Sequence, residues 1–122
     1  MSEGPVYDKK EQLEQVQSGL LDGETIHCVY DAIGAGTGFL AVTDQRVILQ
    51  DKSYVGKRIA LTSIPHNKIH SISVLSNRSW TGSFFSTSSI ALSTSGHEYE
   101  VDFRGNDKAH HAHNLILWYM MR

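Results

Sequence analysis

Two spacings of apolar side chains divide the chain into helical and extended segments. Near the start, residues 8–18 are predicted to form a short helix because apolar residues recur three or four positions apart. These positions are Leu13, Val16 and Leu20. Asp8 is predicted to cap the helix, with Glu11 completing a capping box, and Gly19 to end it.

From residue 24 onward the repeat shortens to two, the period of a strand with one buried face. Strands are predicted at 24–33, 38–43, 46–51, 58–64, 68–76, 90–95 and 97–104. The turns between them contain residues that favour tight reversals, such as Asp44 and Gly96. Residues 76–89 are rich in serine, and their low apolar content predicts a polar loop.

Helical spacing returns near the end of the chain, where an apolar stripe predicts a helix capped by Asn106 or Asp107. The stripe consists of Ala109, Ala112, Ile116 and Tyr119, with Leu115 and Met120 beside it. A short helix, about seven antiparallel strands and a terminal helix together predict a mainly β fold. We expect a bent sandwich or partly open barrel whose open end is capped by the C-terminal helix.

The composition is that of one globular domain. The chain has 122 residues, of which 40% are hydrophobic and 20% charged, so a largely disordered protein is excluded. We divide it into an extension with a short helix, 1–20, and a β domain, 21–122. Cys28 is the single cysteine, so no internal disulfide is possible. The polar start and the absence of a long apolar run predict a cytoplasmic protein.

The net charge of −2 conceals an uneven distribution. Residues 1–31 contain seven acids and two bases, whereas residues 32–90 contain two acids and six bases. Six bases over so long a stretch are too few to indicate a surface for nucleic acid. We therefore expect no nucleic-acid partner.

Gly34, Gly36 and Gly38 stand at alternate positions and raise the question of a phosphate-binding loop. A dinucleotide fingerprint needs a glycine where this chain has Phe39, and a P-loop needs a lysine that is absent between residues 11 and 51. An extended segment follows the glycines, whereas both phosphate sites require a helix. We interpret the glycines as a hairpin turn with positive φ, and we expect no nucleotide or other cofactor.

Two groups of potentially reactive side chains carry no predicted chemistry. His110, His111 and His113 lie close together, but a metal site needs further ligands and supporting contacts, so no metal is predicted. His27 and Cys28 are adjacent on a strand and point to opposite faces, which excludes a nucleophile–base pair. We expect Cys28 to be a buried structural thiol and the protein not to be an enzyme.

Apolar residues beyond those needed for the core are the main indication of function. Residues 115–121 are apolar on all sides, which is more than one barrel end can cover, and aromatic residues interrupt the segment 76–89. The predicted interaction surface comprises Trp80, Phe84, Phe85, Leu117, Trp118 and Met121. It predicts a homo-oligomer, together with an unidentified protein or peptide partner.

Three segments carry a resemblance to a known family: LLDGETIHCVYD at 20–31, FLAVTDQRVILQDKSYVGKR at 39–58 and SIPHNKIHSISV at 63–74. They resemble the bacterial pleckstrin-homology (PH) domain family, small proteins of unknown function. The resemblance implies a PH-like fold for the β domain and a ring-like assembly.

These patterns predict a non-enzymatic PH-like module for protein binding and self-assembly. An alternative is a peripheral binder of anionic membrane headgroups, for which Lys52, Lys57 and Arg58 on a basic hairpin would supply the contacts.

Overall fold

The structure, a computed structural model, describes residues 4–33, 37–51, 60–79, 82–105 and 107–122, with the backbone alone at 37, 51, 77–79 and 82–86. Its elements are β1 (Val6–Tyr7), α1 (Lys10–Gln17), β2 (Ile26–Asp31), β3 (Thr37–Thr43), β4 (Arg46–Asp51), β5 (Ala60–Pro65), a 3-10 turn (His66–Lys68), β6 (Ser71–Ser79), β7 (Gly82–Thr94), β8 (His97–Arg104) and α2 (Asp107–Met120). The predicted order of helices and strands is confirmed, and β1 is an additional strand of two residues.

Two sheets form the body of the molecule. The first has the strand order β1-β2-β3-β4-β5 and the second the order β6-β7-β8. Neighbouring strands are antiparallel except β1 and β2, which are parallel. The sheets meet at a corner where the Ile33 N–H donates to the Asp102 carbonyl over 2.9 Å. The described strands therefore form the predicted bent sandwich and no closed barrel.

The main core lies between the two sheets and beneath α2. Its buried members are Cys28, Tyr30, Leu40, Val42, Val47, Leu49, Ile64, Ile69, Ile90, Leu92, Val101, Phe103, Ala109, Ala112 and Ile116. The alternation predicted for β8 is confirmed, since Val101 and Phe103 are buried while Glu98 and Glu100 are exposed.

A second apolar cluster covers the opposite face of the five-stranded sheet. Leu13 and Val16 of α1 pack there against Val29, Ala41 and Ile48. The central strands are therefore buried on both faces, which explains their continuous apolar runs. Val29, which alternation assigns to the face opposite Cys28, is buried for the same reason.

The predicted cap of α1 is wrong. Lys9 occupies the cap position and no side chain caps the helix, which begins at Lys10. Asp8 instead accepts a hydrogen bond from the Asp31 N–H at 2.8 Å and lies 3.0 Å from the Nζ atom of Lys108. These charged and backbone partners occupy the carboxylate, so Asp8 connects β2 to α2 rather than capping α1.

The predicted loop at 76–89 is also wrong, because β6 continues to Ser79 and β7 begins at Gly82. The pairing of the two strands runs without a shift from Ser71 to Asn77. Apolar alternation is missing because serines occupy buried positions of β7, where their hydroxyl groups form hydrogen bonds within the protein. Ser88 donates to the Gly105 carbonyl at 2.7 Å, and Ser89 donates to Asp102 Oδ1 at 2.6 Å.

Gly38 permits a close approach between strands and does not have a positive φ. A Cβ atom there would lie 2.8 Å from the carbonyl oxygen of Gln50 and 2.6 Å from its Oε1 atom. The glycines with positive φ in the described chain are Gly23, Gly96 and Gly105. Gly34 and Gly36 lie outside the described residues.

A buried ion pair connects the start of the β domain to the β3–β4 turn. Arg46 donates through Nε to Glu24 Oε2 at 2.7 Å and through Nη2 to Oε1 at 2.9 Å. The Thr43 hydroxyl donates to the same carboxylate at 2.7 Å, and so does the Leu21 N–H at 2.9 Å. Arg46 also donates to the Gly19 carbonyl and, at 2.7 Å, to the Ser63 hydroxyl. The network therefore joins the end of α1, the β3–β4 turn and β5.

Replacing Glu24 with Gln should lower the free energy of unfolding by about 3 kcal/mol at neutral pH, because Arg46 loses its counter-charge in a buried site. The hydrogen bond from Arg46 lowers the pKa of Glu24 from 4.5 to about 2. A carboxylate with a lowered folded-state pKa stabilises the protein above its unfolded-state pKa and ceases to do so as the pH falls toward 2. The difference between the two proteins, measured by urea unfolding, should therefore shrink below the usual carboxyl pKa.

Asp22→Asn is the matched control, since Asp22 is an exposed acid two positions away, and it should change stability little. Equal stability of Glu24→Gln and the parent protein at neutral pH would contradict this account.

Gly38→Ala should cost about 1–3 kcal/mol, because the new methyl group would collide with the backbone of β4. Gly19→Ala is the control, since the nearest atom to a Cβ there is 3.9 Å away. Urea unfolding of both variants checks this, and a loss no larger in Gly38→Ala than in Gly19→Ala would refute the close approach.

Candidate interaction surface

The inner side of α2 is small and apolar, and it seals the end of the sandwich. Ala109, Ala112 and Ile116 are completely buried. Alanine side chains allow a helix to approach a sheet closely, and α2 packs against all three strands of the second sheet. The predicted apolar stripe and the capping role of the C-terminal helix are both confirmed.

A tyrosine–histidine contact holds the first half of α2. The Tyr30 hydroxyl on β2 lies 2.5 Å from His111 Nδ1, and the two rings meet edge to face. Burial raises the pKa of Tyr30 to about 12, so the hydroxyl keeps its proton at neutral pH. The contact therefore joins a protonated tyrosine hydroxyl on β2 to the His111 ring on α2.

Tyr119 makes a second set of contacts near the end of α2. Its hydroxyl lies 2.5 Å from His27 Nε2 on β2. Its ring stacks on His66, with centroids 4.9 Å apart and planes inclined by 17°. His66 is itself fixed, because its Nε2 atom lies 2.8 Å from the Thr43 carbonyl. Burial raises the pKa of Tyr119 as well.

The outer side of the same helix end is apolar and open. Trp118 is 50% exposed and Met121 70% exposed, and they lie three residues apart on one helical face. Leu117 is partly buried beside them. The Arg122 guanidinium lies 3.8 Å from the centre of the Trp118 ring. We call Leu117, Trp118 and Met121 the helix-end surface.

A shallow depression of about 360 Å³ adjoins the helix-end surface. It is lined by His111, Asn114, Leu115, Trp118 and Tyr119. None of these five side chains carries a permanent charge, so the depression suits an apolar or aromatic side chain from outside the molecule.

A separate groove lies between β8 and the ends of β3, β4 and β5. Its lining comprises Ala32, Phe39, Leu49, Gln50, Ala60, Thr62 and residues 97–101. The ionised side chains in this described lining belong to Glu98 and Glu100, with no lysine or arginine. Negative charge of this kind opposes a phosphate or an anionic headgroup.

The structure brings together some of the predicted surface residues and leaves others undescribed. Leu117, Trp118 and Met121 lie together at the end of α2. Phe84 and Phe85 belong to β7, but their side chains, like all of Trp80, lie outside the described part of the chain. Lys52, Lys57 and Arg58, which the alternative membrane contact requires, also lie outside it.

The histidines of α2 differ in their surroundings. His111 is engaged by Tyr30, His113 lies 3.0 Å from Asn114 Oδ1, and His110 is exposed. The described residues contain no group of three or more acids, histidines or cysteines able to hold a metal ion. The contacts of His27 and His66 were not predictable from the sequence, because neither residue stands in a pattern that shows its distant partner.

Cys28 is a buried structural thiol, as predicted. The side chain is fully enclosed, and burial raises its pKa to about 12. A thiol in this state is a poor nucleophile. Its neighbour His27 contacts Tyr119 instead.

Among the helices that the structure describes, none has the length and apolarity needed to cross a membrane. No curated protein matches the chain.

Solved structures that share the fold include two from Shewanella species. A pleckstrin homology domain from Shewanella amazonensis SB2B is 21% identical, with a TM-score of 0.68 over 94% of this chain and 100% of that one. A DUF1696 family protein with a pleckstrin-homology domain from Shewanella loihica PV-4 is 17% identical, with a TM-score of 0.62 over 97% and 99%. These similarities confirm the PH-like fold.

The family assignment rests on the sequence itself. The family model described as the bacterial PH domain matches residues 20–117, which is most of the chain and includes all three segments that carried the resemblance. The protein therefore belongs to the bacterial PH domain family.

Proposed function

We propose that this PH-like domain is a non-enzymatic module that assembles with further copies of itself through the helix-end surface, and that the assembly binds a protein partner. The observation that carries the proposal is the exposure of Trp118 and Met121 side by side on a helix whose inner face is already buried. Exposed aromatic and methionine side chains in contact are typical of protein interfaces.

A second copy of the chain is the occupant that the surface suits best. The helix end offers projecting apolar side chains and, next to them, an uncharged depression. The same chain thus supplies both a knob and a recess. An interface of ordinary size buries roughly 800 Å² per partner, and burial of apolar area yields about 25 cal/mol per Å². This is sufficient to drive association after its entropic cost has been met.

A ring requires two different faces that meet head to tail. The helix-end surface is our candidate for one face. The β6–β7 hairpin is our candidate for the other, since it contains Phe84 and Phe85 and carries Leu75, a leucine that is 46% exposed, on β6. The ring-like arrangement implied by the family resemblance is consistent with this pairing.

The absence of catalysis is part of the proposal. PH domains are generally binding modules, and fold alone does not fix activity. In this chain the cysteine is sealed in the core, and the histidine beside it contacts Tyr119 instead of the thiol. No nucleophile, base and oxyanion site meet among the described residues.

Light scattering coupled to size exclusion should give a mass above that of the monomer at tens of micromolar protein. Trp118→Glu should shift the mass toward the monomer, because it places a charge in the apolar contact. Leu61→Glu is the matched control, since Leu61 on β5 is also 50% exposed, and it should keep the parent mass.

Replacing Phe84 and Phe85 together with serine should also reduce the mass if the hairpin is the second face. A monomer at every concentration would reject self-assembly. An oligomer that survives both sets of substitutions would show that the interface lies elsewhere.

Flotation with anionic lipid vesicles tests the alternative function. We expect the protein to remain in the unbound fraction, because the described groove near the β4–β5 connection carries two glutamates. Flotation that is lost when Lys52, Lys57 and Arg58 are all replaced by glutamine would favour the membrane function instead.

A further inference from the structure

His66 is a buried histidine with one nitrogen that lacks a partner. The side chain is 5% exposed. Its Nε2 atom lies 2.8 Å from the Thr43 carbonyl, which can only accept, so Nε2 carries the hydrogen of the neutral ring. Nδ1 is then unprotonated, and it is enclosed with no hydrogen-bond partner among the described residues. A proton added at Nδ1 would create a buried charge and an unsatisfied donor.

Tyr119 is the side chain that covers His66 from α2. The stacked tyrosine ring lies near the end of the helix, and its hydroxyl reaches across to His27. The cover over His66 and the attachment of the helix end to the sandwich are therefore the same contact. Opening of this contact would expose one face of the His66 ring, on whose edge Nδ1 lies, to water.

The charged groups around His66 act in opposite directions. Asp44 in the β3–β4 turn favours the protonated ring, while His27 on β2 opposes it. Arg122 lines the same small depression as Asp44, His66 and Tyr119. The Glu24–Arg46 pair next to Thr43 is internally neutralised. Burial is the largest influence, and the pKa of His66 lies below its usual value.

We propose that the last turn of α2, residues 119–122, is a latch that protonation of His66 releases. Opening moves the Tyr119 ring away, lets water hydrate Nδ1 and allows the imidazolium to approach Asp44. The sheets need not unfold, because the fully buried residues of α2 are Ala109, Ala112 and Ile116, which precede this turn, while Met120 of the turn is only partly buried where it packs against the main core.

The latch would regulate the surface proposed above for self-assembly. Met121 belongs to the released turn, and Trp118 directly precedes it. This consequence rests on the proposed function, whereas the opening of the latch does not. Acidification should accordingly weaken the assembly, since an ordered helix end is needed to present both side chains in one geometry.

The direction of the pH effect follows from linkage. A histidine whose folded-state pKa is lowered stabilises the closed state above its ordinary pKa of about 6.5, and this stabilisation declines as the pH falls below that value. Between about pH 7.5 and about pH 5 the opening constant should rise by up to about 30-fold, the limit set by an exposed histidine.

Amide hydrogen exchange of residues 117–122 measures the opening, after correction for intrinsic exchange rates. The ratio of the observed to the intrinsic exchange rate should rise at the helix end on acidification, while the amides of β3 and β4 stay protected. His66→Gln should abolish the pH dependence, because glutamine can still donate to the Thr43 carbonyl but does not titrate in this range. His110→Gln, at an exposed histidine of the same helix, should behave as the parent protein.

Two further measurements keep the test decisive if His66→Gln folds poorly. Asp44→Asn should shift the opening to lower pH, since it removes the negative charge near His66. The asparagine keeps a side-chain oxygen that can accept the hydrogen bond from the Thr25 N–H, which is 2.9 Å long to Asp44 Oδ1. Titration of the His66 ring by NMR should coincide with the opening. Helix-end exchange that is independent of pH, or equally pH-dependent in His66→Gln, would overturn the latch.

Light scattering at the same pH values separates the latch from the assembly. A mass that falls with the opening supports the regulation. A monomer at neutral pH with a pH-dependent helix end would refute the proposed function and leave the latch intact. An oligomer of unchanged mass despite an opened helix end would refute the regulatory role.

Discussion

The ion pair between Glu24 and Arg46 is the interaction on which the arrangement of the sandwich depends. It fixes the segment leading into β2 against the β3–β4 turn, and through Arg46 it also reaches β5. The two residues stand in the LLDGE and TDQR segments that carried the family resemblance. The resemblance can thus be understood physically: the two segments supply the halves of one buried contact, with Thr43 as its third member.

The C-terminal helix combines two kinds of attachment with different physical properties. Apolar packing runs along the helix from Ala109, Ala112 and Ile116 to the partly buried Met120, and it depends little on pH. Aromatic and imidazole contacts, which depend on protonation and geometry, hold both halves: Tyr30 contacts His111 in the first, and Tyr119 contacts His27 and His66 in the second. The apolar surface that we associate with assembly lies on the second half, next to the Tyr119 contacts.

The elements that were predictable from the sequence are those with one buried and one exposed face, because their apolar and polar residues alternate with the period of the element. β8 and α2 follow their apolar repeats, because one face of each is buried and the other is wet. Features that depend on distant partners were not predictable in this way. The Glu24 carboxylate looks like any surface acid until Arg46 is brought to it, and His66 becomes notable only beneath Tyr119. Asp8 stands where a helix cap is expected from the sequence, but its carboxylate binds the backbone of β2 and Lys108 of α2 instead.

The β6–β7 hairpin illustrates a different limit and has an evolutionary consequence. Its strands pair through the backbone in one register from Ser71 to Asn77, and the Ser88 hydroxyl donates to the Gly105 carbonyl. Apolar alternation is present where Ile72, Val74, Ile90 and Leu92 join the main core, and it is absent from the serine-rich part of the hairpin. A hairpin whose shape is set by the main chain tolerates exchange of its outward side chains without loss of fold. Related domains can accordingly differ in the outward side chains of this hairpin while their scaffold stays the same.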